Sequence, residues 1–213
     1  MNASTSFVKS LLAQCCLGGI CEWVVCPGAR NMALLQVLAA AEDLVQWTHF
    51  DERSAAFFAL GRIQDMGLPA AVVTTSGTAA AELLPAVVEA YYQRRPLLLL
   101  TADRPADYRG SAAPQAIEQA DMFGIYAPTI DLQTPDDLPE DILEDWDYAS
   151  PLHINVCLPD PDPTWNPGHC DLYPAEPPEE NKFRGSLSGL AQALRFKARH
   201  GLVLMLGGLD PTE

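Results

Sequence analysis

Apolar runs without in–out alternation recur along the first hundred residues, each followed by a stretch with helical spacing. The runs are 21–25, 44–48, 70–74 and 96–101, the last holding four consecutive leucines, Leu97 to Leu100. Strands apolar on both faces belong in a parallel sheet that is covered on both sides, and the intervening segments supply the covering helices. Helical spacing covers 5–17, with Ser4 or Thr5 as cap and Gly18-Gly19 as stop, then 32–41, 54–66 ending at Gly67, and an alanine-rich 78–92. The predicted class is α/β, a parallel sheet with helices on both faces. Beyond residue 101 the pattern loosens. A short helix over 115–122, a strand or loop over 125–130 and an acidic helix over 134–148 capped by Thr134 are predicted, and 152–158 closes the sheet.

From Pro159 the composition turns to Pro, Asp, Trp and Glu, which predicts an extended, surface-hugging linker. Residues 187–200 then read as helix and 202–208 as a strand running into Gly207-Gly208. The predicted organisation is one domain over 1–158, a Pro-rich linker over 159–186, and over 187–213 the start of a central domain that is truncated, since one helix and one strand cannot build a core.

Composition narrows the function. Of 213 residues, 48% are hydrophobic and 19% charged, enough apolar material for a real core. The net charge of −15 argues against non-specific binding to nucleic acid or to an anionic membrane, both of which need basic patches, but not against a small anionic substrate met by a few focused arginines. No leader peptide and no apolar stretch long enough to span a bilayer is visible. Cys15, Cys16, Cys21, Cys26, Cys157 and Cys170 lack the paired spacing of a zinc site and read as reduced thiols of a cytoplasmic protein.

The candidate chemistry follows from the topology. In an open parallel sheet, ligands bind outside the carboxyl ends of the strands. Four polar segments fall there: Cys26-Pro27-Gly28-Ala29-Arg30-Asn31, His49-Phe50-Asp51-Glu52-Arg53, Thr74-Thr75-Ser76-Gly77-Thr78-Ala79, and Thr101-Ala102-Asp103-Arg104-Pro105 followed by Gln115. Four such loops at one edge, with arginines among them, point to an anion or cofactor site. Taken locally, Glu52 reads either as a helix cap or as a carboxylate held for proton chemistry. Arg30 and Arg104 read either as surface ion pairs or as bidentate carboxylate clamps. His49 reads as a packed histidine.

The ordered set C-P-G-A-R, H-F-D-E-R, T-T-S-G-T-A, P-A-V-V-E-A, L-L-L-T-A-D-R-P and Q-A-I-E-Q resembles the N-terminal domain of the SEPHCHC synthase family, thiamine-diphosphate enzymes of menaquinone biosynthesis, over roughly residues 20–158. The resemblance implies a flavodoxin-like three-layer pyrimidine-binding domain. It implies that Glu52 is catalytic, hydrogen-bonding the aminopyrimidine ring so that the thiazolium C2 proton is lost, and that Ser76, Gly77 and Thr78 lie beside the cofactor. It implies that Ala29, Arg30, Arg104 and Gln115 face the substrates, 2-oxoglutarate and isochorismate, in a transferase reaction with loss of CO2. Mg²⁺ and the diphosphate would be held by a G-D-G…N segment, which the 213 residues do not contain. The resemblance assigns no metal ligand to this chain, leaves it inactive by itself, and makes the whole protein a homodimer or homotetramer. Cys26, Ala29, Glu82 and Pro114 depart from the family's usual Ser, Ser, Asn and Asn. Another thiamine-diphosphate enzyme resembling acetolactate synthase, and a non-catalytic flavodoxin-like binding module, are the competing readings.

Overall fold

The computed structural model describes residues 3–174, with side chains from residue 6. The helix and strand predicted over 187–208, and the residues around them, lie outside the described part. Six parallel strands form one sheet in the order β2-β1-β3-β4-β6-β5: β1 Glu22–Val25, β2 Val45–Thr48, β3 Ala70–Thr74, β4 Leu97–Asp103, β5 Thr129–Leu132 and β6 Leu152–Cys157. Helices α1 (Ala3–Leu17) and α2 (Met32–Ala39) cover one face, while α3 (Glu52–Met66) and α5 (Leu84–Tyr92) cover the other. The period of two sends Val73, Leu98 and Leu100 toward α1 and α2, and Val72, Leu97 and Leu99 toward α3 and α5. The three-layer α/β prediction therefore holds.

Several local predictions are corrected. β2 was expected to be buried. It is the edge strand, and all four of its residues are exposed. The alanine-rich helix breaks into α4 (Thr78–Ala81) and α5. Pro85 has no N–H to give the carbonyl four residues back, and instead occupies the first turn of a new helix. No helix forms over 115–122, where Gln115 (φ 56°) and Asp121 (φ 60°) are left-handed. The acidic helix over 134–148 reduces to one 3-10 turn, Pro135–Asp137. Its capping box does form between Thr134 and Asp137, but Pro139 stops propagation. Asp141 and Asp147 then accept from the backbone N–H groups of Leu143 and Ala149, offering the chain turns in place of a helix. After β6 the chain runs over the outside of α1 and α2. Lys9 Nζ donates to the Pro167 carbonyl at 2.7 Å and Gln36 Nε2 to the Trp165 carbonyl at 2.9 Å.

A buried polar network joins β4, β5 and β6. Thr101 Oγ1 donates to Asn155 Oδ1 (3.0 Å), so its contact with His153 Nε2 (2.7 Å) makes that nitrogen the donor, and Nδ1 accepts from Thr129 Oγ1 (2.9 Å). Arg109 grips Asp131 with two 2.8 Å bonds and reaches Asp103 at 3.2 Å. Burial raises the Asp131 carboxyl, but hydrogen bonds from Arg109, Asn155 and Gln133 outweigh it and hold the group at about 2.

His153 is wholly buried, and desolvation, only partly opposed by the Asp131 charge, lowers it from 6.5 to about 3. The unfolded chain therefore binds a proton that the folded chain refuses. This contribution is complete above pH 6.5 and is lost as pH falls toward 3. In urea titrations across that window, His153→Gln is expected to be less stable at neutral pH, yet to show a slope of stability against pH shallower by about 1.4 kcal/mol per pH unit. Parallel slopes for the two proteins would contradict this.

Candidate active site at the carboxyl edge of the sheet

Parallel pairing aligns the strand ends. Val25 is in register with Thr48 on one side and Val73 on the other, and Thr74 with Thr101. The four polar segments therefore leave the sheet side by side. β1 leads into α2 on one face and β3 into α4 and α5 on the other, which makes β1/β3 the point where the strand order reverses. The turns are pressed together here. A Cβ on Gly28 would lie 2.5 Å from Thr75 Cβ, so only glycine admits the β3 turn. The Gly28 turn is itself pinned by Asn31, which accepts from the Gly28 N–H and donates to the Cys26 carbonyl, each at 2.9 Å.

Past β2, the two neighbouring carboxylates divide the work. Asp51 is the N-cap of α3, and its Oδ1 accepts from the Ser54 N–H at 2.7 Å. Hydrogen bonding from the Ser54 hydroxyl, and then from its N–H, keeps the Asp51 carboxyl below the usual range. Glu52 is thereby relieved of capping. It sits half-buried in the first turn, where the helix dipole favours a negative charge, and no hydrogen bond or ion pair of its carboxylate occurs among the described residues. Its charge reaches Cys26 at the end of β1. Burial first, and then the charges of Glu52 and Asp51, push that thiol up to about 12, so Cys26 is an inert neutral group. His49 stacks against Phe58 with ring centres 4.7 Å apart, as a packed histidine should.

Past β3, Ser76 is buried and Gly77 adopts φ 80°, ψ −134°, a conformation for glycine. Neither Ser76 nor Thr78 caps α4; Gly77 is its N-cap. Gln115 lies against this turn. A Cβ on Gly77 would be 3.0 Å from Gln115 Cβ, and Gln115 Nε2 points at the Ser76 carbonyl at 3.4 Å.

The arginines have different fates. Arg104 is half-buried, its Nε donates to the Pro114 carbonyl at 2.9 Å, and its guanidinium lies 5.3 Å from the centre of the Tyr108 ring. Its Nη groups have no partner among the described residues, which leaves a fork for a carboxylate. The departure at Pro114 costs this arrangement nothing, because the carbonyl is the group used. Arg30 is 8% exposed and is tied elsewhere, donating to the Leu158 carbonyl (3.0 Å) and to Asp160 (2.9 Å) beside a pocket of about 260 Å³ past β6. The structure thus brings Gly77 and Gln115 together and joins Arg104 to the residue before Gln115. It does not bring Arg30 to Arg104. Ala29 is exposed in the β1 turn.

Sequence reasoning missed Asp51 as the cap, although Asp51 and Ser54 stand at the N-cap and N3 spacing. It also missed Gln119, which closes the quoted Q-A-I-E-Q run but received no role of its own. Among the described residues, no cluster of three His, Cys, Asp or Glu could hold a metal ion, and no helix is long and apolar enough to cross a membrane.

Comparison with known proteins agrees with this geometry. The family described as thiamine pyrophosphate enzyme, N-terminal TPP binding domain, matches residues 6–122. The chain is 89% identical over its whole length to a 2-succinyl-5-enolpyruvyl-6-hydroxy-3-cyclohexene-1-carboxylate synthase of Akkermansia muciniphila, of which it spans 40%. It is 44% identical over 67% of its length to the protein of that name from Bdellovibrio bacteriovorus, and 48% identical over 64% of its length to that from Chloroflexus aurantiacus, spanning 27% and 23% of them. The family match covers more than half of the chain and takes in all four turns at the carboxyl edge: the chain belongs to the thiamine pyrophosphate enzyme family, as its N-terminal TPP-binding domain.

Proposed function

We propose that the chain is the N-terminal part of a 2-succinyl-5-enolpyruvyl-6-hydroxy-3-cyclohexene-1-carboxylate synthase, a transferase of menaquinone biosynthesis that decarboxylates 2-oxoglutarate and adds the remaining four-carbon unit to isochorismate. The names of the relatives support the reaction. The observation that carries the site is the Glu52 carboxylate, fixed at a helix start and spared from capping by Asp51.

The residues present fit the aminopyrimidine end of thiamine diphosphate: a carboxylate with no hydrogen-bond partner among the described residues stands at the same sheet edge as turns that glycines hold close together. When bound, the cofactor supplies the electron sink that decarboxylation requires. Glu52 holds the ring through a charge-assisted hydrogen bond, strengthened as water is excluded. Ser76, Gly77 and Thr78 shape the turn beside it. Arg104, with Gln115 next to it, receives a substrate carboxylate, while Ala29 and Arg30 border the same edge from the β1 side. Mg²⁺ and the diphosphate fall to the remaining length of the protein, supplied across a homodimer or homotetramer interface. The setting is the cytoplasm.

Two outcomes follow for the complete protein. Glu52→Gln retains the shape but loses the anionic acceptor. Proton exchange at C2 of bound thiamine diphosphate, followed by NMR, is expected to slow on the order of a hundredfold, with little change in substrate KM. Equal exchange rates would remove Glu52 from the chemistry.

Arg104→Lys cannot reproduce a fork and is expected to raise the KM of one of the two acids by about tenfold or more. Arg30→Lys keeps a single cation opposite Asp160 and should cost less. Steady-state kinetics with each acid varied separately are the check, and the reverse ranking would count against Arg104 as the clamp.

A further inference from the structure

The turn read above as the cofactor's neighbour has a weakness. Helix α4 has only four residues and no side-chain cap, and Gly77 at its start is in a conformation that helix formation does not enforce. Its N–H is one of the donors that a helix leaves unpaired, and a buried unpaired donor is costly.

One side chain meets this need. Gln119 is wholly buried, and its Oε1 accepts from the Gly77 N–H at 2.9 Å. Its Nε2 donates to the Ala102 carbonyl at 3.1 Å and to Asn155 Oδ1 at 2.9 Å. The amide orientation is fixed by its partners, since a flipped amide would set donor against donor at Gly77 and oxygen against oxygen at Ala102. Three bonds therefore tie the β3 turn to β4 and β6. Asn155 continues the connection, donating to Asp103 Oδ2 at 3.2 Å, and Asp103 Oδ1 accepts from the Arg104 N–H at 2.8 Å. The backbone that presents Arg104 and the turn at Gly77 thus hang from one connected hydrogen-bond network.

We propose that Gln119 is a positioning residue for the cofactor: by fixing the Gly77 N–H, it holds the Ser76–Gly77–Thr78 turn in the shape that thiamine diphosphate meets. This rests on the reading of that turn given under the proposed function. Gln119 touches no reacting atom, so its loss should weaken cofactor binding and leave the saturated turnover largely intact.

The test uses the complete protein carrying Gln119→Met, which keeps the length and removes the three hydrogen bonds. Hydrogen exchange of the cofactor-free protein is expected to show protection at residues 76–78 reduced by about tenfold. The thiamine diphosphate concentration for half-activation should rise by about tenfold, with kcat at saturating cofactor and the KM of both acids little changed. Asn155→Ala, which leaves Gln119 in place but removes one of its partners, should move the same exchange signal in the same direction by less, and it carries the test if Gln119→Met does not fold. Unchanged protection at 76–78 overturns the proposal whatever the kinetics. Reduced protection with an unchanged cofactor requirement also overturns it, and removes the turn from the cofactor site. That result leaves the role of Glu52 standing on its own C2-exchange measurement.

Discussion

Parallel pairing of β1, β2, β3 and β4 is the constraint on which the site depends. Each crossover returns the chain to the same starting end of the sheet, so every strand delivers its turn to one edge. Register does the rest, placing Val25 level with Thr48 and Val73 and leaving the turns in contact. Gly28 exists to let Thr75 in, and Gly77 to let Gln115 in. A slip of one residue would turn the alternating apolar side chains to the wrong layers and pull these turns apart. The apolar layers around Val72, Val73 and Leu97 to Leu100 thus hold the polar edge together from beneath.

Within that edge, the groups proposed to act are those left over after structural demands are met. Asp51 satisfies the start of α3, and Glu52 is therefore available. Arg109 is neutralised by Asp131 and Asp103, and it serves to anchor strand ends. Among the described residues the Arg104 guanidinium hydrogen-bonds through its Nε alone, whereas that of Arg30 gives two donors to the chain past β6. Identical residue types at equivalent strand ends thus carry different burdens, and hydrogen-bond accounting separates them.

Much of the layer structure was legible because burial on both faces leaves a continuous apolar run, as at Leu97 to Leu100. The edge strand was misjudged for the same reason: Val45 and Trp47 look like core residues, and nothing local says that β2 has a neighbour on one side only. Pro85 and Pro139 were visible breakers, but helical composition around them outweighed them in the reading. The four turns were legible because glycine, proline and charged residues cluster at predictable strand ends. The division of labour between Asp51 and Glu52 was not, since it depends on which oxygen meets the Ser54 N–H. The attachment of Arg30 to Asp160 and the reach of Gln119 from Gly77 to Asn155 were hidden as well, because each joins residues far apart in sequence through side-chain geometry.

The central claim is that Asp51 caps α3 so that Glu52 can serve the cofactor. A crystal structure of the complete protein with thiamine diphosphate tests it most directly. The account predicts that Asp51 Oδ1 still accepts from the Ser54 N–H while the Glu52 carboxylate lies within hydrogen-bond distance of a nitrogen of the aminopyrimidine ring. A Glu52 side chain turned back onto the α3 backbone, or paired with an arginine while the ring binds elsewhere, would contradict it.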